Sequence, residues 1–152
     1  MKIATTLALA LLLLVTGVSA SASSERVSPL DRVQPKGKKI KTRSSRFGTV
    51  LTNGVRQTIY AFSKEEGPKS ECFGNCAKVW PPVYTKAKPR ARGETRGGLL
   101  GTIKRGERRQ VTYNGHPLYY YANEGPGEIL CQNVDEFGGV WLVVNPAGDP
   151  VR

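Results

Sequence analysis

Apolar and polar residues alternate with a period of two in two stretches that resemble one another. The first is TVLTNGVRQTIYAF (49–62) and the second QVTYNGHPLYYY (110–121), with two extra residues after the first Asn-Gly. β-Branched and aromatic residues on both sides of Asn-Gly, a dipeptide suited to tight turns, predict a hairpin in each. Alternation places Tyr60 and Phe62 on one face and Ala61 on the other, and sets Tyr119 and Tyr121 against Tyr120 in the same way. Tyr120 is therefore expected to face outward. Residues 99–104 and 139–144 are further strand candidates.

The two stretches belong to longer copies. Tyr60 to Cys72 spans 12 positions, as does Tyr119 to Cys131, and each copy then reaches a tryptophan, Trp80 or Trp141. One copy alone would leave an apolar face uncovered, so the pair predicts one pseudo-symmetric domain rather than two. Helical periodicity is nearly absent. The one segment suited to a short helix is SECFGNCAKV (70–79), with Ser70 as N-cap and Pro81-Pro82 as terminator. The expected fold is all-β: a small, mainly antiparallel domain of two related repeats over 47–150, joined by a long loop at 86–98.

Before this domain lie two segments of different character. An apolar run behind Lys2, ending in Val18-Ser19-Ala20, reads as a signal peptide over 1–20, which places the protein outside the cytoplasm. Residues 21–46 are expected to form a basic, disordered arm, because they hold many charges and few apolar residues. The full chain of 152 residues carries a net charge of +11, concentrated in 25–46 (+6) and 86–109 (+7), whereas 110–152 carries −4. Lys36, Lys38, Lys39 and Lys41 are the candidate anion contacts, with an anionic envelope polymer or membrane surface as partner. Nucleic acid is disfavoured, since no recognition-module motif is present.

Three cysteines cannot all pair within one chain. Cys72 and Cys76 are close enough in sequence to form a disulfide, and an oxidising compartment favours it. Cys131, at the position equivalent to Cys72, offers a rival pairing across the repeat. The first pairing is adopted, which leaves Cys131 as a free thiol or as a bridge to a second chain. Cys-x-x-x-Cys is one residue longer than the thioredoxin-type motif. A single histidine, His116, builds no histidine-rich metal site, and no catalytic constellation or cofactor motif is present. Glu65 and Glu124 are equivalent carboxylates; they suit local structural use better than glycoside chemistry.

Gly67, Ser70, Cys72, Gly74, Cys76-Ala77 and Trp80-Pro81-Pro82 form one set of motif residues. With Gln110 to Gly115, Pro117-Leu118-Tyr119 and Phe137-Gly138-Gly139-Val140-Trp141, the chain resembles a bacterial secreted-repeat family of predicted lipoproteins marked by Tyr-x-aromatic-x-x-Asp. The resemblance covers about 47–148. It implies an extracytoplasmic, twice-repeated domain of uncharacterised role and no catalytic residues. Its marker positions here are Tyr60, Phe62 and Glu65, then Tyr119, Tyr121 and Glu124, with Trp80 and Trp141 following. The chain departs from the family in having Glu for Asp twice and Cys131 where glycine is usual. It also lacks a cysteine near Ala20 to accept lipid. The expected function is a secreted or cell-envelope binding or structural module without catalysis. The alternative is an extracytoplasmic redox or electron-transfer accessory that uses the cysteines.

Overall fold

The computed structural model describes residues 35–152; the expected signal peptide and residues 21–34 of the expected arm lie outside them. In chain order the elements are β1 (Lys39–Ser45), β2 (Gly48–Asn53), β3 (Tyr60–Phe62), α1 (Asn75–Val79), β4 (Tyr84–Thr85) and β5 (Arg90–Ala91). After a 3-10 turn at Gly97–Leu99 come β6 (Leu100–Arg105), β7 (Arg108–Tyr113), β8 (His116–Pro117), β9 (Val134–Glu136) and β10 (Gly139–Val143). The strands form three small sheets, ordered β2-β1-β5, β3-β10-β9 and β4-β7-β6, with β8 also paired to β7. Every pairing among the named strands is antiparallel except β1 with β5, where Lys39 and Ile40 lie beside Arg90 and Ala91.

Each repeat opens with a two-stranded hairpin. Ser45 pairs with Gly48 in the first and Arg105 with Arg108 in the second. The second Asn-Gly closes a further tight turn, with Tyr113 opposite His116. Asn114 (φ 48°) and Gly115 (φ 83°) both take the left-handed conformation that such a turn requires, and glycine adopts it without a Cβ clash. In the first repeat the two extra residues widen the turn, and Asn53 Oδ1 accepts hydrogen bonds from the backbone N–H groups of Val55 and Gln57 at 2.9 and 3.0 Å.

Three sequence expectations need correction. The disordered arm cannot extend to residue 46, because Lys39–Ser45 is a strand whose residues 40–45 pair with β2, and Ile40 within it is completely buried. The long loop over 86–98 contains β5, which docks on β1. The helix begins at Asn75 behind Gly74, not at a Ser70 cap; the Ser70 hydroxyl instead donates to Gln110 Oε1 at 2.6 Å.

The halves are interleaved. The Val83 carbonyl, at the end of the first repeat, accepts from Val111 N on β7, while the Val144 carbonyl, at the end of the second, accepts from Leu51 N on β2. Between them Tyr60 and Tyr119 exchange both backbone hydrogen bonds, each at 2.9 Å. A local twofold axis thus passes between these two tyrosines. One core cluster gathers Ile40, Leu51, Ile59, Val83, Val111 and Leu118 with Tyr113, and another gathers Tyr60, Phe62, Trp80, Tyr119 and Trp141 with the three cysteines. Tyr120 belongs to the first and is only 9 % exposed, so it does not face solvent. Alternation sets its direction correctly, but the segment is covered on both faces.

Candidate functional site

The marker residues of the two repeats meet around this axis, and each one finds its partner in the other repeat. The Tyr60 hydroxyl donates to Glu124 Oε1 at 2.6 Å, and the Tyr119 hydroxyl donates to Glu65 Oε1. Each of these oxygens also accepts a backbone N–H six residues further along its own repeat, from Glu71 at 2.8 Å and from Leu130 at 2.6 Å. The motif therefore works as a reciprocal clasp.

Burial governs the electrostatics of that clasp. Glu65 and Glu124 are each 5 % exposed, and the second oxygen of each is buried without a hydrogen-bond partner. Desolvation raises both carboxyls above the usual range, opposed mainly by the hydrogen bond from the partner tyrosine. Arg105 for Glu65 and Arg43 for Glu124 oppose it further. Burial and the adjoining carboxylate push the Tyr119 hydroxyl up to about 12 and raise Tyr60 more strongly. Tyr120, pushed up to about 12 by burial, has a hydroxyl without a hydrogen-bond partner.

The aromatic residues repeat the crossing. Phe62 stacks on Trp141 at 4.2 Å, Trp141 on Trp80 at 3.9 Å, and Trp80 meets Tyr121 at 5.0 Å. The pile thus alternates between repeats, while Tyr60 and Tyr119 meet Trp80 and Trp141 edge-on at 5.3 and 5.2 Å. Trp80 Nε1 donates to Glu136 Oε2 at 2.9 Å and Trp141 Nε1 to the Glu136 carbonyl at 3.2 Å, so both buried indole N–H groups are satisfied.

Cys72 and Cys76 form a disulfide with Cα atoms 5.3 Å apart, and Cys131 is a buried free thiol. All three lie in the aromatic cluster, with Cys72 wholly enclosed and Cys131 8 % exposed. Burial raises the Cys131 thiol. It also removes the access that a bridge to a second chain would need. Among the described residues no group of three or more His, Cys, Asp or Glu is placed to hold a metal ion, and no helix is long and apolar enough to cross a membrane.

On the surface the structure assembles a feature that the sequence presents in separate pieces. A cleft of about 990 Å³ has Pro81, Pro82, Tyr84 and Tyr120 in its lining. Lys36, Lys38 and Arg90 reach it from the β1–β5 side, and Lys86, Arg108 and Arg109 from the β4–β7 side, against one carboxylate, Glu107. The guanidinium of Arg108 lies over the Tyr84 ring at 3.5 Å. Lys38 N donates to Thr85 Oγ1 at 2.8 Å, tying the two sides together, and Arg90 Nε donates to the Gly37 carbonyl at 3.3 Å within the β1–β5 side. Gly37 is required there, since a Cβ would stand 1.7 Å from the Lys88 carbonyl oxygen. A second groove of about 540 Å³, which includes Thr102 and Lys104, shares Glu107, Arg108 and Arg109 with the cleft.

Two of the four lysines proposed from sequence, Lys36 and Lys38, therefore reach the cleft, whereas Lys39 and Lys41 lie along β1. The arginines that join them were visible only as a charge-rich stretch. The two basic blocks of the sequence were the available signal, but nothing in either block names the other as its neighbour.

These features define a class: an interleaved two-repeat β domain with a disulfide-closed loop and a basic cleft. The family model described as a secreted repeat of unknown function matches residues 41–84 and 101–145, and the chain belongs to that family. No curated protein and no solved structure matches it. The matched segments begin inside β1 and at β6, which agrees with a repeat unit that opens with the hairpin.

Proposed function

We propose that this secreted repeat protein is a non-catalytic binding module of the cell exterior, which contacts anionic envelope polymers through its basic cleft. The carrying observation is that cations from 36–38 and 86–109, remote in sequence, converge on one concavity with one acid among them. Glu65 and Glu124 support a structural assignment, because each is enclosed and held by the tyrosine of the other repeat. The buried disulfide likewise suits a staple for the loop before Trp80 better than an electron carrier. The exported chain should be retained on intact envelope at about 50 mM salt and released as salt approaches about 1 M, where screening acts over only a few ångströms. Retention unchanged by salt, or none at low salt, would refute this reading.

A further inference from the structure

We infer that the cleft is built for a linear phosphodiester polymer of polyol or sugar units, in preference to a polymer with pendant carboxylates. This rests on the binding function proposed above and specifies its ligand. The cleft lining mixes two chemistries: half-buried Pro81 and Tyr84, beside the buried Pro82 and Tyr120, offer apolar surface, and six Lys or Arg side chains offer charge. A ligand that satisfies both must carry weakly polar stretches between separated anionic groups.

The direction of approach adds a second constraint. Lys36, Lys38 and Arg90 belong to the β1–β5 side, and Arg108 and Arg109 to β7, so cations meet an anion in the cleft from two sheets. A phosphodiester lies within the polymer backbone and presents two non-bridging oxygens that diverge from the chain. One such group can therefore receive N–H donors from both sheets at once. A pendant carboxylate projects from its chain in one direction and presents both oxygens to one donor set. Stacking on Tyr84 holds the Arg108 guanidinium by its face, which leaves its edge N–H groups for paired hydrogen bonds to phosphate.

Length points the same way. The neighbouring groove, with Lys104 and Thr102, adjoins the cleft, since Glu107, Arg108 and Arg109 line both. A single phosphate would engage only a few of these cations, whereas a chain of several units would reach cations of both concavities.

The test is titration of the exported full-length chain with three probes at about 50 mM salt: a poly(glycerol phosphate) oligomer of about ten units, an oligogalacturonate of equal charge, and inorganic phosphate. The expected result is that the phosphodiester oligomer binds at least tenfold more tightly than the uronate, and inorganic phosphate more weakly still. Arg90→Gln and Arg108→Gln should each weaken oligomer binding about tenfold. Lys64→Gln, the same charge loss at an exposed position that does not line the cleft, should change it less than twofold. Circular dichroism of each variant verifies that the fold is retained. Uronate binding equal to or tighter than phosphodiester would overturn the ligand class while leaving the polyanion reading intact. No binding of any probe would overturn both. Tighter binding of a single-stranded deoxyoligonucleotide of equal charge would overturn the polyol or sugar assignment.

Discussion

Crossed pairing of the marker residues predicts a particular pattern of energetic coupling. Tyr60→Phe removes the hydroxyl that donates to Glu124 Oε1 at 2.6 Å and leaves the ring in contact with Trp80. A hydrogen bond to a charged acceptor contributes about 1.5–3 kcal/mol, and the carboxylate left behind is buried, so the variant should lose about 2 kcal/mol. Glu124→Met keeps the length of the side chain but removes its oxygens, at the cost of an unpaired Leu130 N–H in single and double variants alike. A double-mutant cycle by urea denaturation at pH 8 should then give a coupling of at least about 1 kcal/mol for Tyr60 with Glu124, and again for Tyr119 with Glu65. The within-repeat pairs, Tyr60 with Glu65 and Tyr119 with Glu124, should be additive to within about 0.5 kcal/mol. Larger coupling within repeats than between them would refute the clasp.

Glu65 and Glu124 have raised pKa values in the fold, so the folded chain holds protons more tightly there; their contribution is full below the unfolded value and is lost as pH rises through the folded one. His116 acts oppositely, because burial lowers it, and its contribution is lost as pH falls. In His116→Gln the Tm should therefore rise between pH 7 and pH 5, and a steady fall would contradict the assignment. Absorbance titration near 295 nm should leave Tyr60, Tyr119 and Tyr120 protonated at pH 11, and ionisation of all six tyrosines in the native state at that pH would refute their burial. Cys72→Ser should cost roughly 2 kcal/mol by the loop-entropy account, and native protein should yield its one thiol, Cys131, to a thiol reagent only on denaturation; a disulfide-linked peptide containing Cys131 would count against this. Fragments 35–96 and 97–152 should each lack stable strand structure and recover it on mixing, and a separately folded fragment would disprove the interleaving.

Much of the fold is legible in the residues that flank each Asn-Gly, because alternation there is strong and the turn residues are specific. β6 and β10 are also visible as apolar alternation. β1 is not: in KIKTRSS only Ile40 is fully buried, and the polar residues around it read as arm. The signal that would have found it lies in the repeat, since a strand placed just before the second hairpin turn requires a counterpart before the first. The site is harder to read. Sequence repetition establishes that Tyr60 and Tyr119 are equivalent, but equivalence does not say which copy supplies the acceptor. The cleft depends on the parallel docking of β5 on β1, a pairing of two residues on each strand that carries no sequence pattern of its own.

The reciprocal clasp also bears on how such a chain comes to exist. In a polypeptide carrying a single repeat, the acceptor for its tyrosine, the ring for its tryptophan and the strand beside its hairpin would all have to come from another molecule. Assembly would then be second order in protein, and dilution outside the cell would undo it. Tandem duplication turns the same encounter into an intramolecular one at an effective concentration near the millimolar range. Covalent linkage of the copies thus makes folding independent of abundance, and it frees the two halves to diverge: the first keeps its disulfide loop, while the second retains only a buried thiol at the matching position.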